Sequence, residues 1–249
     1  MMCCMKSALD ALPDSMRLNL KQLPKHDVAM SLFTRHSIRH NAVDGQVAGY
    51  DLALTTLGKQ LAQDWGQYLV EQTQKSFATP ISSPIQRCLD TASLMQLGAQ
   101  QYQTDTQDTL PIEAKPLLVE PGSFVVDLPQ AVPYFRQLGA IGFIDHFVQG
   151  KLPGMKIPNQ GVYDILHMLY AHQPERTDQL GLAVSHDTIL AAVLAVIRQQ
   201  YRVSTTDWPE MMEGLFVWFE GDDFNHSTMY WLWRGELGQL DIQSLNIPV

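Results

Sequence analysis

A three-layer α/β fold is what this 249-residue sequence predicts. Two observations carry the prediction. Apolar runs of strand length, such as DVAMSLFT and GLAVS, alternate with longer segments of helical period, and neither an internal repeat nor a low-complexity stretch interrupts the alternation. The chain is long enough to bury a substantial core, as one domain or as a core domain carrying an insertion.

Residues 1–25 form a short helical preamble, MRLNLKQL, closed by Pro24. DVAMSLFT is a strand that stops at a polar cluster, RHSIRH. From Thr55 to about Val70 the pattern sets Leu57, Leu61, Trp65 and Leu69 on one helical face. ATPISS is a short strand, and in SSPIQRCLDTASLM a helix starts with Ser83 as N-cap and Pro84 at its first position. A Gln- and Thr-rich stretch at 97–109 reads as loop, and EAKPLLVE as a further strand leading into PGSF. Residues 121–158 are rich in Pro and Gly, with helical patches PYFRQLG and FIDHFVQG. A cap or insert is therefore expected around 97–158 within one domain spanning 1–249. NQGVYDILHMLYAH resumes a helix, GLAVS is a buried strand and DTILAAVLAVIRQQY a strongly apolar helix. EGLFVWFEG and STMYWLWRG close the chain as two strands able to pair as a hairpin. Trp208, Phe216, Trp218, Tyr230, Trp231 and Trp233 read as core and strand faces.

Bulk properties exclude several classes. Hydrophobic content of 45% and charged content of 17% describe a soluble globular chain. No apolar run approaches the roughly 20 residues of a membrane span. The start MMCCMKSALDALPDS has no long apolar region followed by a small-residue cleavage site, so secretion is not expected. Cys3 and Cys4 are adjacent and Cys88 falls in a helical pattern, which reads as reduced thiols in a cytoplasmic protein. With a net charge of −9 and a pI of about 5.2, nucleic acid is excluded as partner. A small anion can still bind where the few cations converge.

Three strand-to-helix junctions bring such cations together. The first supplies Arg35, His36 and Arg39, the second Arg87, and the third His186 and Asp187. In open α/β sheets the carboxyl ends of strands border a shared crevice, and helix N-termini there favour anions. Singly, each residue has an ordinary reading: a solvated turn for Arg35 and Arg39, an exposed helix position for Arg87, a helix N-cap for Asp187, a satisfied strand-end histidine for His186. The HxxxH spacing of His36 and His40 does not predict a metal. That spacing needs a helix, no Glu base intervenes, and flanking arginines repel a cation.

Jointly, TRHSIR after a strand, SSPIQRCLDTA, and VSHDT before an apolar helix resemble the histidine phosphatase superfamily, which unites phosphoglycerate mutase-like enzymes with histidine acid phosphatases. The resemblance covers roughly 27–95 and 180–235, not the middle of the chain. LTTLGKQLAQDWG is similar to the helix that follows the first motif in that family. It implies a phosphoglycerate mutase-like α/β/α sandwich with a mostly parallel central sheet and a small inserted cap, in a compact intracellular member. It further implies His36 as nucleophile, Arg35, Arg39, Arg87 and His186 as phosphate ligands, and Asp187 as proton donor. Glu120, in LLVEPGSF, is the alternative acid. Ser37 replaces the family's usual glycine and Asn41 its usual proline, so the backbone at Ser37 is less free than in the family.

The activity so implied is hydrolysis of a small phosphorylated substrate through phosphohistidine, with no cofactor and no metal. A neutral imidazole nucleophile brings no negative charge to an anionic ester, and the neighbouring arginines should lower its pKa. A phosphomutase and a non-catalytic phosphate-ligand binder are the alternatives, although binding alone needs neither a nucleophile nor an acid. Substrate selection is expected in HNAVDGQVAGYD and in 121–158. The substrate and the oligomeric state stay open.

Overall fold

One sheet organises the computed structural model, which describes residues 7–24, 28–41, 49–102, 109–119 and 122–245. Among the described residues it has eight strands: β1 (Met30–Arg35), β2 (Ser76–Phe77), β3 (Ile81–Ser82), β4 (Glu113–Ala114), β5 (Gln179–Ser185), β6 (Gly214–Glu220), β7 (Thr228–Trp233) and β8 (Glu236–Asp241). Their order is β4-β3-β5-β1-β6-β7-β8, with β2 also paired to β5. β1 and β5 lie side by side in parallel, Met30 opposite Leu180 through Arg35 opposite Ser185. β2, β3 and β4 extend the parallel part. β6 reverses against β1, and β7 and β8 continue as an antiparallel meander. The sheet is thus mostly but not wholly parallel. The expected closing hairpin is β6–β7. β8 is an addition to it: ELGQLD is exposed at most positions and carries little apolar signal.

Six helices flank the sheet among the described residues: α1 (Asp14–Gln22), α2 (Thr56–Thr73), α3 (Gln86–Tyr102), α4 (Leu128–Val148), α5 (Pro158–Ala171) and α6 (Asp187–Ile197). Alternation along the strands decides which layer each side chain joins. Leu32, Leu182, Val184, Phe216 and Leu232 pack with Met16, Leu61, Trp65 and Met95 of α1–α3. Phe33, Ala183, Leu215, Val217 and Trp231 pack with Phe143, Ile165 and Leu190 of α4–α6. Burying a side chain of this size contributes about 1.5–3 kcal/mol, so two continuous faces hold the sheet from both sides. The tryptophans and Phe216 read as core are buried or packed against it, and Trp208 and Tyr230 are partly buried. No helix among the described residues is long and apolar enough to cross a membrane.

Several boundaries differ from expectation for identifiable reasons. Thr55 caps α2 by accepting the Gly58 N–H at 2.9 Å. Ser83 accepts the Ile85 N–H at 3.3 Å, but the helical turn closes only from Gln86, two residues after Pro84. α3 continues to Tyr102, so 97–102 is helix, not loop: Gly98 and Ala99 are buried while Leu97 faces out, which inverts the apolar signal. Only Glu113–Ala114 of EAKPLLVE pairs as strand, and Pro116–Leu118 forms a 3₁₀ turn in which proline needs no N–H partner. Within the segment expected as a cap, α4 is broken at Gly139 (φ 65°). Phe143, Ile144 and Phe147 beyond the break are buried, whereas Leu128 and Tyr134 before it are exposed.

Candidate active site

The three junctions read from the sequence meet because β3, β5 and β1 are adjacent and parallel, which brings their carboxyl ends to one edge. Strand-like pairing continues past the strands. The His36 N–H donates to Ser185 O at 2.9 Å, and the Ser83 N–H donates to Val184 O at 2.8 Å. On the other flank the Arg35 N–H reaches Glu213 O at 2.9 Å, and the Met212 N–H reaches His36 O at 3.2 Å. The nucleophile candidate is therefore held by main chain on both sides.

His36 is 2% exposed. Its Nδ1 lies 2.8 Å from the carbonyl oxygen of Ser37, which can only accept, so Nδ1 carries the hydrogen and a neutral ring keeps its lone pair on Nε2. Burial pushes the ring pKa well below its ordinary value, and the Arg35 charge adds to that. The Ser37 carbonyl opposes the shift, while His186 and Arg87 reinforce it. The lowering expected from the arginines is thus led by burial. The His186 ring stands edge-on, its centroid 5.5 Å away.

Ser37 is buried and does not adopt a left-handed backbone, so the side chain causes no strain there. Its hydroxyl donates to Gly58 O at 2.7 Å, and its N–H donates to Thr91 Oγ1 at 3.0 Å. Gly58 allows this close approach: a Cβ there would lie 2.0 Å from Ile38 O. The α2 N-terminus is thereby seated directly on the backbone that follows the histidine.

Arg35 is 8% exposed and points its guanidinium two ways. One terminal nitrogen donates to Pro209 O at 2.7 Å, and the other pairs with Asp187 Oδ2 at 2.6 Å. Its Nε–H is buried with no hydrogen-bond partner among the described residues, a donor suited to an anion. Asp187 also accepts the Thr188 N–H on Oδ1 at 2.8 Å, so both carboxylate oxygens act as acceptors.

Arg87, 1% exposed, comes from the first turn of α3. It donates to Gly49 O at 3.0 Å and approaches His186 Nδ1 at 3.2 Å. Because arginine only donates, Nδ1 is the acceptor, and His186 Nε2–H donates to Ser83 Oγ at 2.9 Å. Burial and the charges of Arg87, Arg35 and Arg39, against that of Asp187, lower the His186 pKa to about 3, so the ring is neutral. Arg39 is more peripheral: its backbone pairs with Leu54 and its guanidinium donates to His40 O at 2.8 Å. Glu120 and residues 42–48 of HNAVDGQVAGYD lie outside the described residues.

Some residues at the site were not singled out from the sequence, or only for another role. Thr91, one helical turn after Arg87, was findable by its spacing. The sequence pattern marks Ser83 only as a cap. Pro209, Met212 and Glu213, which clasp Arg35 and His36, lie far along the chain with no local signal pointing to them.

Residues 32–112 match the family model described as histidine phosphatase superfamily (branch 1), a span that includes TRHSIR and SSPIQR and stops before VSHDT. No curated protein matches the chain. Among solved structures, mycobacterial glucosyl-3-phosphoglycerate phosphatase is 16% identical with a TM-score of 0.54, over 83% of this chain and 99% of that one. The same mycobacterial enzyme in complex with VO3 gives 15% and 0.50, over 84% and 100%. A protein described as mycobacterial hydrolase 2 gives 15% and 0.55, over 88% and 95%. At these identities the likeness is one of fold: a mixed sheet with helices on both faces.

Proposed function

Taking the chain as a member of the histidine phosphatase superfamily, we propose that it hydrolyses a small phosphate monoester through a covalent phosphohistidine on His36. One observation carries the reading: a buried, neutral imidazole, with Nδ1–H tied to the Ser37 carbonyl, keeps its Nε2 lone pair available beside Arg35 and Arg87. Phosphate-monoester hydrolysis is among the slowest uncatalysed reactions, with enzymes supplying up to about 10²¹-fold. Fixed guanidiniums that bind the non-bridging oxygens as charge redistributes are a main source of such acceleration.

In the first step His36 Nε2 attacks phosphorus and the ester P–O bond breaks. The departing oxygen takes a proton from Asp187. In the second step water gives a proton to Asp187 and attacks phosphorus, the P–N bond breaks and phosphate leaves. Asp187 accepts from Arg35 in the structure. A phosphoryl group that draws the Arg35 guanidinium to its own oxygens frees Asp187 to carry the proton. Arg39 adds charge from the rim, and Glu120 is the alternative acid. His186 has Arg87 and Ser83 at its two nitrogens, so we assign it to orienting Arg87 under the phosphate. The fold shared with a phosphatase also solved with VO3 supports the same reading.

The test is turnover of a chromogenic phosphate ester together with trapping of acid-labile ³²P on the protein. Wild type should turn over and label, and His36→Ala should do neither. Full activity in that variant would end the reading. Label passed to an added alcohol in preference to water would indicate a mutase, and phosphate binding without turnover a non-catalytic binder.

A further inference from the structure

We propose that Arg234 and Glu213 are a positioning pair that sets the direction of the Arg35 guanidinium, acting through the loop between them and the site. The proposal rests on the reading of Arg35 as a phosphate ligand.

Glu213 is 2% exposed, and each of its carboxylate oxygens is doubly engaged. Arg234 binds it in bidentate fashion, Nε to Oε1 and one terminal nitrogen to Oε2, both at 2.8 Å. Ser15 of α1 donates to Oε1 at 2.6 Å, and the Glu210 N–H donates to Oε2 at 2.9 Å. The same guanidinium donates to Thr206 O at 2.5 Å and to Trp208 O at 3.0 Å. One side chain from the β7–β8 turn therefore stitches residues 206–213 into a single shape.

That shape is what Arg35 and His36 meet. Pro209 O accepts from the Arg35 guanidinium, Glu213 O accepts the Arg35 N–H and also the Thr34 hydroxyl at 3.1 Å, and the Met212 N–H donates to His36 O. Met212 is fully buried with φ 65°, a left-handed conformation that a side-chain-bearing residue keeps only when its surroundings impose it. Buried ion pairs often contribute no more stability than an apolar pair of the same volume. Fixing carbonyl directions is something the apolar pair would not do. Arg35 has one hand on Pro209 O and the other on Asp187, so the position of that carbonyl decides where its remaining donors point. Among the described residues neither the Arg234 nor the Glu213 side chain hydrogen-bonds His36, and the loop they shape meets the Arg35 guanidinium through Pro209 O.

Calorimetric titration with inorganic phosphate, alongside kcat and KM for a chromogenic ester, tests this on the full chain. Arg234→Met should weaken phosphate binding and lower kcat/KM by about tenfold, within the roughly hundredfold that a 1 Å misplacement can cost. In an Arg35→Ala background the same substitution should change phosphate affinity by less than about twofold, since coupled residues are non-additive. Equal losses in both backgrounds, or unchanged phosphate affinity in the single variant, would overturn the proposal. Should Arg234→Met fail to fold, Ser15→Ala removes one of Glu213's bonds and should weaken phosphate binding about threefold in wild type and not in Arg35→Ala. Unchanged affinity there would overturn it equally. A wild type that binds phosphate without turnover refutes the phosphatase reading and leaves this one standing. A normal wild type with a normal Arg234→Met does the reverse.

Discussion

Replacing His186 with glutamine should make the protein less sensitive to acid. The native ring is pushed down to about 3 by burial first, then by Arg87, Arg35 and Arg39, with Asp187 opposing. In the unfolded chain it returns to about 6.5. The folded value is the lower one, so across the interval between them the unfolded chain binds a proton that the native state refuses. Stability from this ring is complete above about pH 7 and is lost as pH falls from about 6.5 toward 3. Between pH 7 and pH 5 the unfolded ring gains most of a proton and the native ring almost none, a loss of about 2 kcal/mol. The figure does not depend on how far below about 4 the native ring titrates. His36 is depressed in the same direction, but it is present in both proteins and cancels in the comparison. Urea unfolding of wild type and His186→Gln at pH 7 and pH 5 is the assay. The variant should start less stable, because the amide does not reproduce the ring's paired contacts with Arg87 and Ser83, yet lose about 2 kcal/mol less on acidification. Equal acid losses in the two proteins would refute a neutral His186.

Other perturbations separate the parts of the site. Ser37→Gly should cost about 1–2 kcal/mol in a urea titration, because it removes a buried hydroxyl bond to Gly58 O and relieves no strain; a more stable variant would contradict this. Gly58→Ala should cost about 2 kcal/mol or more despite a helix-propensity gain near 1, since its Cβ meets Ile38 O at 2.0 Å, and kcat/KM should fall with it as the backbone after His36 moves. Asp187→Asn should slow alkyl phosphates far more than nitrophenyl phosphate in steady-state assays. The same selective loss in Glu120→Gln, and not in Asp187→Asn, would move the proton-donor role to Glu120.

What could be read from the sequence was local. DVAMSLFT and GLAVS announce buried strands, and the polar residues just after them fall at the carboxyl edge, where chemistry collects in open sheets. Arg35, His36, Arg87, His186 and Asp187 converge for that reason. Relations across the chain were not legible. The adjacency of β1 to both β5 and β6 is a product of long-range pairing, and β2 is two residues long. Ser37 drew notice as a departure from the family motif, yet it fits without strain and its hydroxyl reaches Gly58, a partner 21 positions away. The Arg234–Glu213 pair is separated by the same interval, with two strands between. Burial, which leads the shift at His36, becomes visible only when both layers close over the sheet.

The bond from His36 Nδ1 to the Ser37 carbonyl fixes which ring nitrogen would carry a phosphoryl group in the proposed mechanism. Its acceptor belongs to the peptide, so a side-chain substitution at position 37 that leaves the main chain in place leaves this bond in place, and a phosphoryl group taken by the ring then sits on Nε2. The two phosphohistidine isomers are chemically distinct species, and which one is recovered from digested protein reports the path of the backbone at 37–38. That path is seated on Gly58 and Thr91. A variant that yields the Nδ1 isomer would have shifted main chain beside His36, even with every side chain of the proposed mechanism in place.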